Sequence, residues 1–190
     1  MMFKLKRYRK PIFFFFLLFL VFLAINSRAI WKFMYPIKYE KQIKVYTSEF
    51  RVDPYLVLAI IQVETRFQKD KQSAKGAIGL MQIMPDTAKW IAEKGGFPPH
   101  MAKNLHQPDN NIAFGSWYLA QMHQRFNGNI YATIAAYNAG PRNVEKWMQQ
   151  GLWDGSFEQL NRIPFGETRH YVQRVLHFYE RYQWIYKDEF

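Results

Sequence analysis

The sequence predicts a mainly α-helical domain preceded by one short apolar helix. Three observations carry this. Valine and isoleucine nowhere alternate with polar residues over a long run, which leaves little or no sheet. Helix starts and stops recur: Asp53-Pro54 and Pro85-Asp86 open helices, while Gly95-Gly96, Asn127-Gly128 and Gly151 close them. A basic block (Lys4, Lys6, Arg7, Arg9, Lys10) and Pro11 precede a run from Ile12 to Ile25 that holds no polar residue.

That N-terminal segment has two readings, a cleaved signal peptide and a retained membrane anchor. The apolar run is shorter than the ~20 residues of a span. Arg28 can snorkel, however, and Trp31 and Tyr35 suit the lipid–water interface. The small-x-small pattern of a cleavage site is spoiled by the arginine in Ser27-Arg28-Ala29, and bulky Phe13 to Phe16 also favour a retained helix. The anchor is the favoured reading. Either way the basic end stays in the cytoplasm and the remainder is exported. The chain divides into a basic cytoplasmic flank at 1–11, an anchor or signal segment at 12–35, and a domain at 36–190.

Pro36 breaks the chain, and 37–50 forms a mixed helix on the domain edge. Asp53 caps a helix whose first residue is Pro54, and Tyr55 to Thr65 is mostly buried. Residues 68–79 make a polar, glycine-containing loop. A helix runs from Pro85 to Lys94, and 97–107 is a loop carrying Pro98-Pro99. Pro108 to Phe126 is a long amphipathic helix, with Trp117 and Tyr118 as packing residues. Ile130 to Tyr137 is a buried helix that Asn138-Ala139-Gly140-Pro141 interrupts. A short helix spans Asn143 to Gln150, and a final one follows Ile163-Pro164, from Glu167 to Trp184.

Composition narrows the functional classes. Of 190 residues 49% are apolar and 18% aromatic, ample for the core of one domain. Cysteine is absent, which excludes disulfides, thiolate metal sites, a cysteine nucleophile and lipidation through cysteine. The five histidines (His100, His106, His123, His170, His177) show no tight metal-ligand spacing with carboxylates, so neither metal nor cofactor is expected. Net charge is +11, with five of the 26 basic residues in the N-terminal block. Such an excess suits a membrane surface, a cell-wall polymer or nucleic acid.

Glu64 is the candidate for chemistry. It ends the apolar stretch Tyr55 to Val63, so its carboxyl is desolvated and its pKa rises. A carboxylic acid of that kind holds a proton near neutral pH and can give it away. The bland alternative for a glutamate ending a buried helix is a surface residue or a satisfied ion pair.

Context decides between them. Glu64-Thr65-Arg66-Phe67 leads into Ser73, Gly76, Ala77 and then Gly79-Leu80-Met81-Gln82-Ile83-Met84-Pro85. Asn111-Ile112-Ala113-Phe114-Gly115-Ser116-Trp117-Tyr118-Leu119 follows, then Ala135-Ala136-Tyr137-Asn138-Ala139-Gly140, then Pro164-Phe165-Gly166-Glu167-Thr168-Arg169-His170-Tyr171-Val172. The order and spacing of these four motifs, over about residues 45 to 185, resemble the catalytic domain of the soluble-lytic-transglycosylase family, whose fold is lysozyme-like, of the goose type.

The resemblance implies that Glu64 is the sole catalytic acid/base. It places Ser73 on the sugar cleft, Gln82 and Met84 along bound sugar, and Tyr137, followed by Asn138, at the sugar being cleaved. Glu167 becomes a polar partner at the cleft, and Tyr171 helps hold the site together. Plainer roles stand beside these: Ser73 closing a turn, Glu167 capping the last helix, Met81 in the core. The chain departs from the family pattern at Thr65, where serine is common, at Lys69, where proline is common, and at Lys71, where a small apolar residue is common.

The implied activity is cleavage of the MurNAc-GlcNAc β-1,4 bond of peptidoglycan, with a 1,6-anhydro product. The expected partners are glycan strands and a membrane. Rival readings are a hydrolytic muramidase on the same fold, a non-catalytic wall-binding module, and a nucleic-acid-binding protein. Export argues against the last.

Overall fold

Residues 3–187 and 189–190 are described in the computed structural model. Residues 1 and 2 of the expected cytoplasmic flank, and the side chains of Lys4, Lys6, Arg7 and Arg9, lie outside what is described. The first helix, α1 (Phe3–Asn26), runs through Pro11 instead of starting after it. Its apolar side chains, Ile12 to Leu23, are largely exposed. A second short helix, α2 (Arg28–Met34), departs from it at 66° across Ser27. No single described helix is long and apolar enough to cross a membrane, though the bent pair Lys10–Asn26 with Arg28–Met34 meets both measures together.

The domain begins with α3 (Glu40–Phe50), shorter than expected at its N-terminus. In α4 (Pro54–Glu64) the Asp53 carboxylate accepts from the Tyr55 N–H and Pro54 occupies the first turn. Leu56 through Ile61 are all buried, so α4 is a core helix hydrophobic on every side. The chain then passes through an irregular segment to α5 (Pro85–Gly95), which ends on left-handed Gly96.

Two expectations fail for one reason. Residues 97–107 are not a plain loop, since Pro99–Lys103 form α6. The break after Asn138 is also narrower than expected: α8 (Ile130–Ala139) reaches Ala139, and α9 (Pro141–Gln149) starts at the proline itself. Proline breaks a helix interior but fits its first position, where its missing N–H has no partner to lose. Between α6 and α8 lies α7 (Pro108–Arg125), and α10 (Gly166–Ile185) closes the chain.

The protein is mainly helical. Among the described residues, β pairing is limited to isolated bridges of Ile78 with Gln72 and Ile83. α10 packs along α4 and also against α8, while α7 lies against α3 and α8. The shared core includes Leu58, Ile60, Phe114, Leu119, Ile134, Val172, Val175 and Trp153. This packing brings the C-terminal end of α4 beside the first turns of α10.

Candidate active site

Glu64 is the last residue of α4. The chain turns sharply behind it, with Arg66 and Phe67 both at positive φ (53° and 61°). Phe67 is buried and anchors the turn. The Thr65 hydroxyl donates to the carbonyls of Leu80 (2.9 Å) and Ile61 (3.2 Å), tying the end of α4 to the segment at 76–85.

The Glu64 carboxyl meets α10. Tyr171 Oη donates to Glu64 Oε1 at 2.8 Å, and the Tyr171 ring is buried. Burial pushes the Glu64 pKa up from its ordinary 4.5 to about 7. The Tyr171 hydrogen bond and the positive charges of Lys71 and Arg174 pull the other way, and the negative charge of Glu167 adds to the rise. Burial, helped by the charge of Glu64, holds the Tyr171 phenol well above its usual range, so it serves as a neutral donor. Lys71 Nζ donates to the Glu64 backbone carbonyl at 2.7 Å, occupying an acceptor at the negative end of α4.

The segment at 76–85 is held by Asn111 on α7, which is fully buried. Asn111 Oδ1 accepts from the Met81 N–H at 2.7 Å, and Nδ2 donates to the carbonyls of Ile78 and Leu105, both at 2.9 Å. Gly79 leaves room for it. A Cβ there would lie 2.3 Å from Asn111 Nδ2, and its φ of +77° suits glycine. Met81 is buried and seats its sulfur over Gly115, whose own Cβ would meet it at 2.2 Å. Met81 is a core residue, as expected.

The other expected site residues are placed as follows. Tyr137 Oη donates to the Met81 carbonyl at 2.9 Å, and its ring stands edge-to-face on Tyr118 at 5.6 Å. Gln82, at φ +51°, turns its amide onto the carbonyls of Gly79 (2.9 Å) and Lys71 (3.1 Å). Met84 is exposed at the mouth of α5. Ser73 Oγ accepts from the Ala77 N–H at 2.9 Å and closes a turn. Asn138 Oδ1 accepts from Thr168 Oγ1 at 2.8 Å, linking α8 to α10. Glu167 is exposed in the first turn of α10, 3.7 Å from Lys75 Nζ. A concavity of about 550 Å³ lies next to it, lined by Glu167, His170, Gln173, Arg174 and His177.

The structure thus joins Glu64 directly to Tyr171, and Tyr137 and Gln82 to the backbone of the 76–85 region. Ser73 also bonds to that backbone, at Ala77, while Asn138 bonds to Thr168 on α10. Three residues given no role from the sequence prove structural to the site: Thr65, Lys71 and Asn111. Lys71 and Thr65 had a signal, since both depart from the family pattern. Asn111 lies inside a quoted motif, but nothing local marked it as the tie to a loop 30 residues away. Among the described residues no group of three or more histidines and carboxylates is placed to hold a metal ion.

These features have counterparts in known proteins. The sequence model of the Transglycosylase SLT domain matches residues 41–158. The chain is 35% identical over 159 residues to the soluble lytic murein transglycosylase of Escherichia coli strain K12, covering 82% of this chain and 24% of that one. It is 30% identical over 159 residues to membrane-bound lytic murein transglycosylase C of Serratia proteamaculans, covering 73% and 44%. Among solved structures, an inactive mutant of lytic transglycosylase Slt from Pseudomonas aeruginosa superposes with a TM-score of 0.73 at 37% identity, over 80% of this chain and 25% of that one. The 70 kDa soluble lytic transglycosylase of Escherichia coli superposes with a TM-score of 0.76 at 32% identity, over 84% and 26%. A 70-kDa soluble lytic transglycosylase solved in complex with bulgecin A superposes with a TM-score of 0.73 at 32% identity, over 84% of this chain and 26% of that one. This chain spans about a quarter of the length of those soluble relatives. With its helical fold and the motifs around Glu64, the chain belongs to the Transglycosylase SLT domain family.

Proposed function

We propose that this protein is a peptidoglycan lytic transglycosylase that cleaves the MurNAc-GlcNAc β-1,4 bond and leaves 1,6-anhydro-MurNAc. The observation that carries the reading is the Glu64 carboxyl: partly buried, bonded to Tyr171, with a pKa raised to about 7. At neutral pH such a group is protonated in a large fraction of molecules and its conjugate base is a competent acceptor. Glu64 protonates the glycosidic oxygen as the bond to C1 breaks, and the N-acetyl carbonyl of the same sugar stabilises the developing positive charge. Ionised Glu64 then accepts the proton of the C6 hydroxyl as that oxygen attacks C1. The nucleophile is part of the substrate, so the step has an intramolecular advantage.

Most glycosidases need two carboxylates flanking the bond. Here the other carboxylate that bears on Glu64, Glu167, is exposed and faces Lys75, which suits it to substrate contact or to tuning Glu64. Gln82, Met84, Tyr137, Asn138, Ser73 and Tyr171 complete the proposed cleft. Residues 36–190 form the catalytic domain, and residues 12–35 anchor it with the domain outside the cytoplasm. The names of the soluble and membrane-bound relatives are compatible with action on murein beyond the membrane.

The test is mass spectrometry of muropeptides released from purified peptidoglycan, by the protein and by Glu64→Gln. Products lighter by one water and resistant to borohydride, absent with the variant, are expected. Hydrated, reducible products would identify a muramidase instead. Equal turnover by Glu64→Gln would remove Glu64 from the chemistry.

A further inference from the structure

The short helix α2 does more than connect anchor and domain. Its residues sort onto two faces. Trp31 and Tyr35 turn toward α10, and Lys32 toward the residues just after it. Ile30, Phe33 and Met34, at spacings of three and four, turn outward and are 43%, 88% and 58% exposed. Among the described residues Phe33 is the most exposed large apolar side chain. Trp184, near the end of α10, lies edge-on to Trp31 at 6.2 Å and is itself 38% exposed.

The inward face is fixed by several independent contacts. The Trp31 indole N–H donates to the Ile25 carbonyl at 2.6 Å, so this side chain braces the bend between α1 and α2. The Trp31 ring stacks on Tyr35 at 5.8 Å, and the Arg181 guanidinium sits 4.2 Å above it. Tyr35 packs on Phe178 and Tyr182, and its carbonyl accepts from Tyr186 Oη at 2.8 Å. Lys32 pairs with Glu189 and lies over the Tyr186 ring. Trp31 therefore touches three elements at once: the end of α1, its own helix and α10.

We infer that α2 is an interfacial latch: Ile30, Phe33, Met34 and Trp184 rest in the lipid–water boundary, while Trp31 and Tyr35 clamp the catalytic domain to the anchor. The occupant of this outward face is a bilayer surface because the face continues directly from the exposed apolar side chains of α1. With α1 along the bilayer normal, the 66° bend lays α2 toward the membrane plane. Tryptophan and phenylalanine favour that depth, and Arg28, the first residue of α2, and Lys38, four residues past its end, suit anionic headgroups. The consequence is functional. The domain stands at a fixed height and orientation, so it reaches glycan strands next to the membrane and does not sample the wall on a flexible tether. This inference rests on the anchor proposed for residues 12–35 and is independent of the chemistry at Glu64.

The natural chain has no cysteine, so single cysteines can be labelled cleanly. Full-length Phe33→Cys, Trp184→Cys, Phe16→Cys and Glu158→Cys carry an environment-sensitive fluorophore in vesicles of phosphatidylcholine and phosphatidylglycerol. Glu158 lies in the connection leading to the far end of α10. Blue-shifted emission, quenched by brominated lipid, is expected at positions 33, 184 and 16, with aqueous emission at 158. Aqueous emission at 33 or 184 with lipid emission at 16 overturns the latch and keeps the anchor. Aqueous emission at 16 overturns both. The clamp is read separately from spin labels placed by Ala29→Cys and Glu180→Cys. A narrow distance distribution that broadens with Trp31→Ala is expected; a broad one without that substitution overturns the clamp. Muropeptide release by the same vesicles reports on Glu64 independently of every outcome here.

Discussion

Tyr171 and Glu64 are 107 positions apart, yet the phenol donates to the carboxyl at 2.8 Å. This bond favours the ionised acid, against the burial that favours the neutral one. Tyr171→Phe removes it. The Glu64 pKa then rises further, and the alkaline limb of kcat/KM for glycan cleavage moves to higher pH. A charged carboxyl that loses a buried partner also costs about 1–3 kcal/mol at pH 8. A pH–rate profile and urea unfolding at that pH check the two parts.

Glu64 also makes stability depend on pH. Its folded pKa, about 7, lies above its ordinary 4.5, so the folded state binds the proton more tightly. The contribution is fully present below about 4.5 and is lost as pH rises through 7. By pH 8 the loss amounts to about 3 kcal/mol. Glu64→Gln does not titrate, so the variant is expected to gain stability relative to the parent between pH 5 and 8. Denaturant unfolding across that range measures the gap; a gap independent of pH contradicts it.

Lys71 and Glu167 act on the same carboxyl with opposite signs. Lys71→Met withdraws a positive charge and moves the alkaline limb of activity to higher pH. Glu167→Gln withdraws a negative charge and moves it to lower pH. High salt is expected to shrink both shifts, because both side chains are exposed. Profiles at low and high ionic strength decide this, and shifts in the same direction for both variants would contradict the assignment.

Asn111 makes two hydrogen bonds to the loop backbone, at Met81 and Ile78, and a third to the Leu105 carbonyl. Asn111→Ala is expected to cost about 2–4 kcal/mol by leaving peptide groups unpaired. Gly79→Ala is expected to be comparably damaging, since its Cβ would collide with Asn111 and with the Leu105 carbonyl. Chemical denaturation reports both. A neutral Gly79→Ala would show that the loop can move away at little cost.

Thr65 replaces the serine common in the family, yet its hydroxyl reaches the Leu80 carbonyl at 2.9 Å. Serine can make the same bond, so Thr65→Ser is expected to retain activity and nearly all stability. Thr65→Val keeps the shape, removes the donor, and is expected to cost about 1–3 kcal/mol. Thermal unfolding of the two variants side by side checks this.

Much of the fold was legible because its signals are local. Asp53-Pro54 marked the start of α4, and Gly96 marked the end of α5, through backbone groups that neighbouring residues satisfy. The prolines at 99 and 141 were misread because one residue type breaks a helix interior and suits its first turn. Which applies depends on whether a helical turn precedes the proline, since only then does a carbonyl four residues back lose its donor, and that is not written at the proline itself.

The sequence by itself determined that Glu64 ends an apolar helix and is therefore desolvated, because burial of Tyr55 to Val63 follows from their side chains alone. It also determined the basic, apolar character of the N-terminus. Only the tertiary structure decided what meets Glu64: the phenol of Tyr171 on α10, the ammonium of Lys71 on its backbone carbonyl, and a loop fastened by Asn111. It alone also folded Trp31 onto α10. Each of these contacts, apart from that of Lys71, joins chain segments 30 or more residues apart. Their geometry is set by how whole helices pack, and no local pattern of residues encodes that.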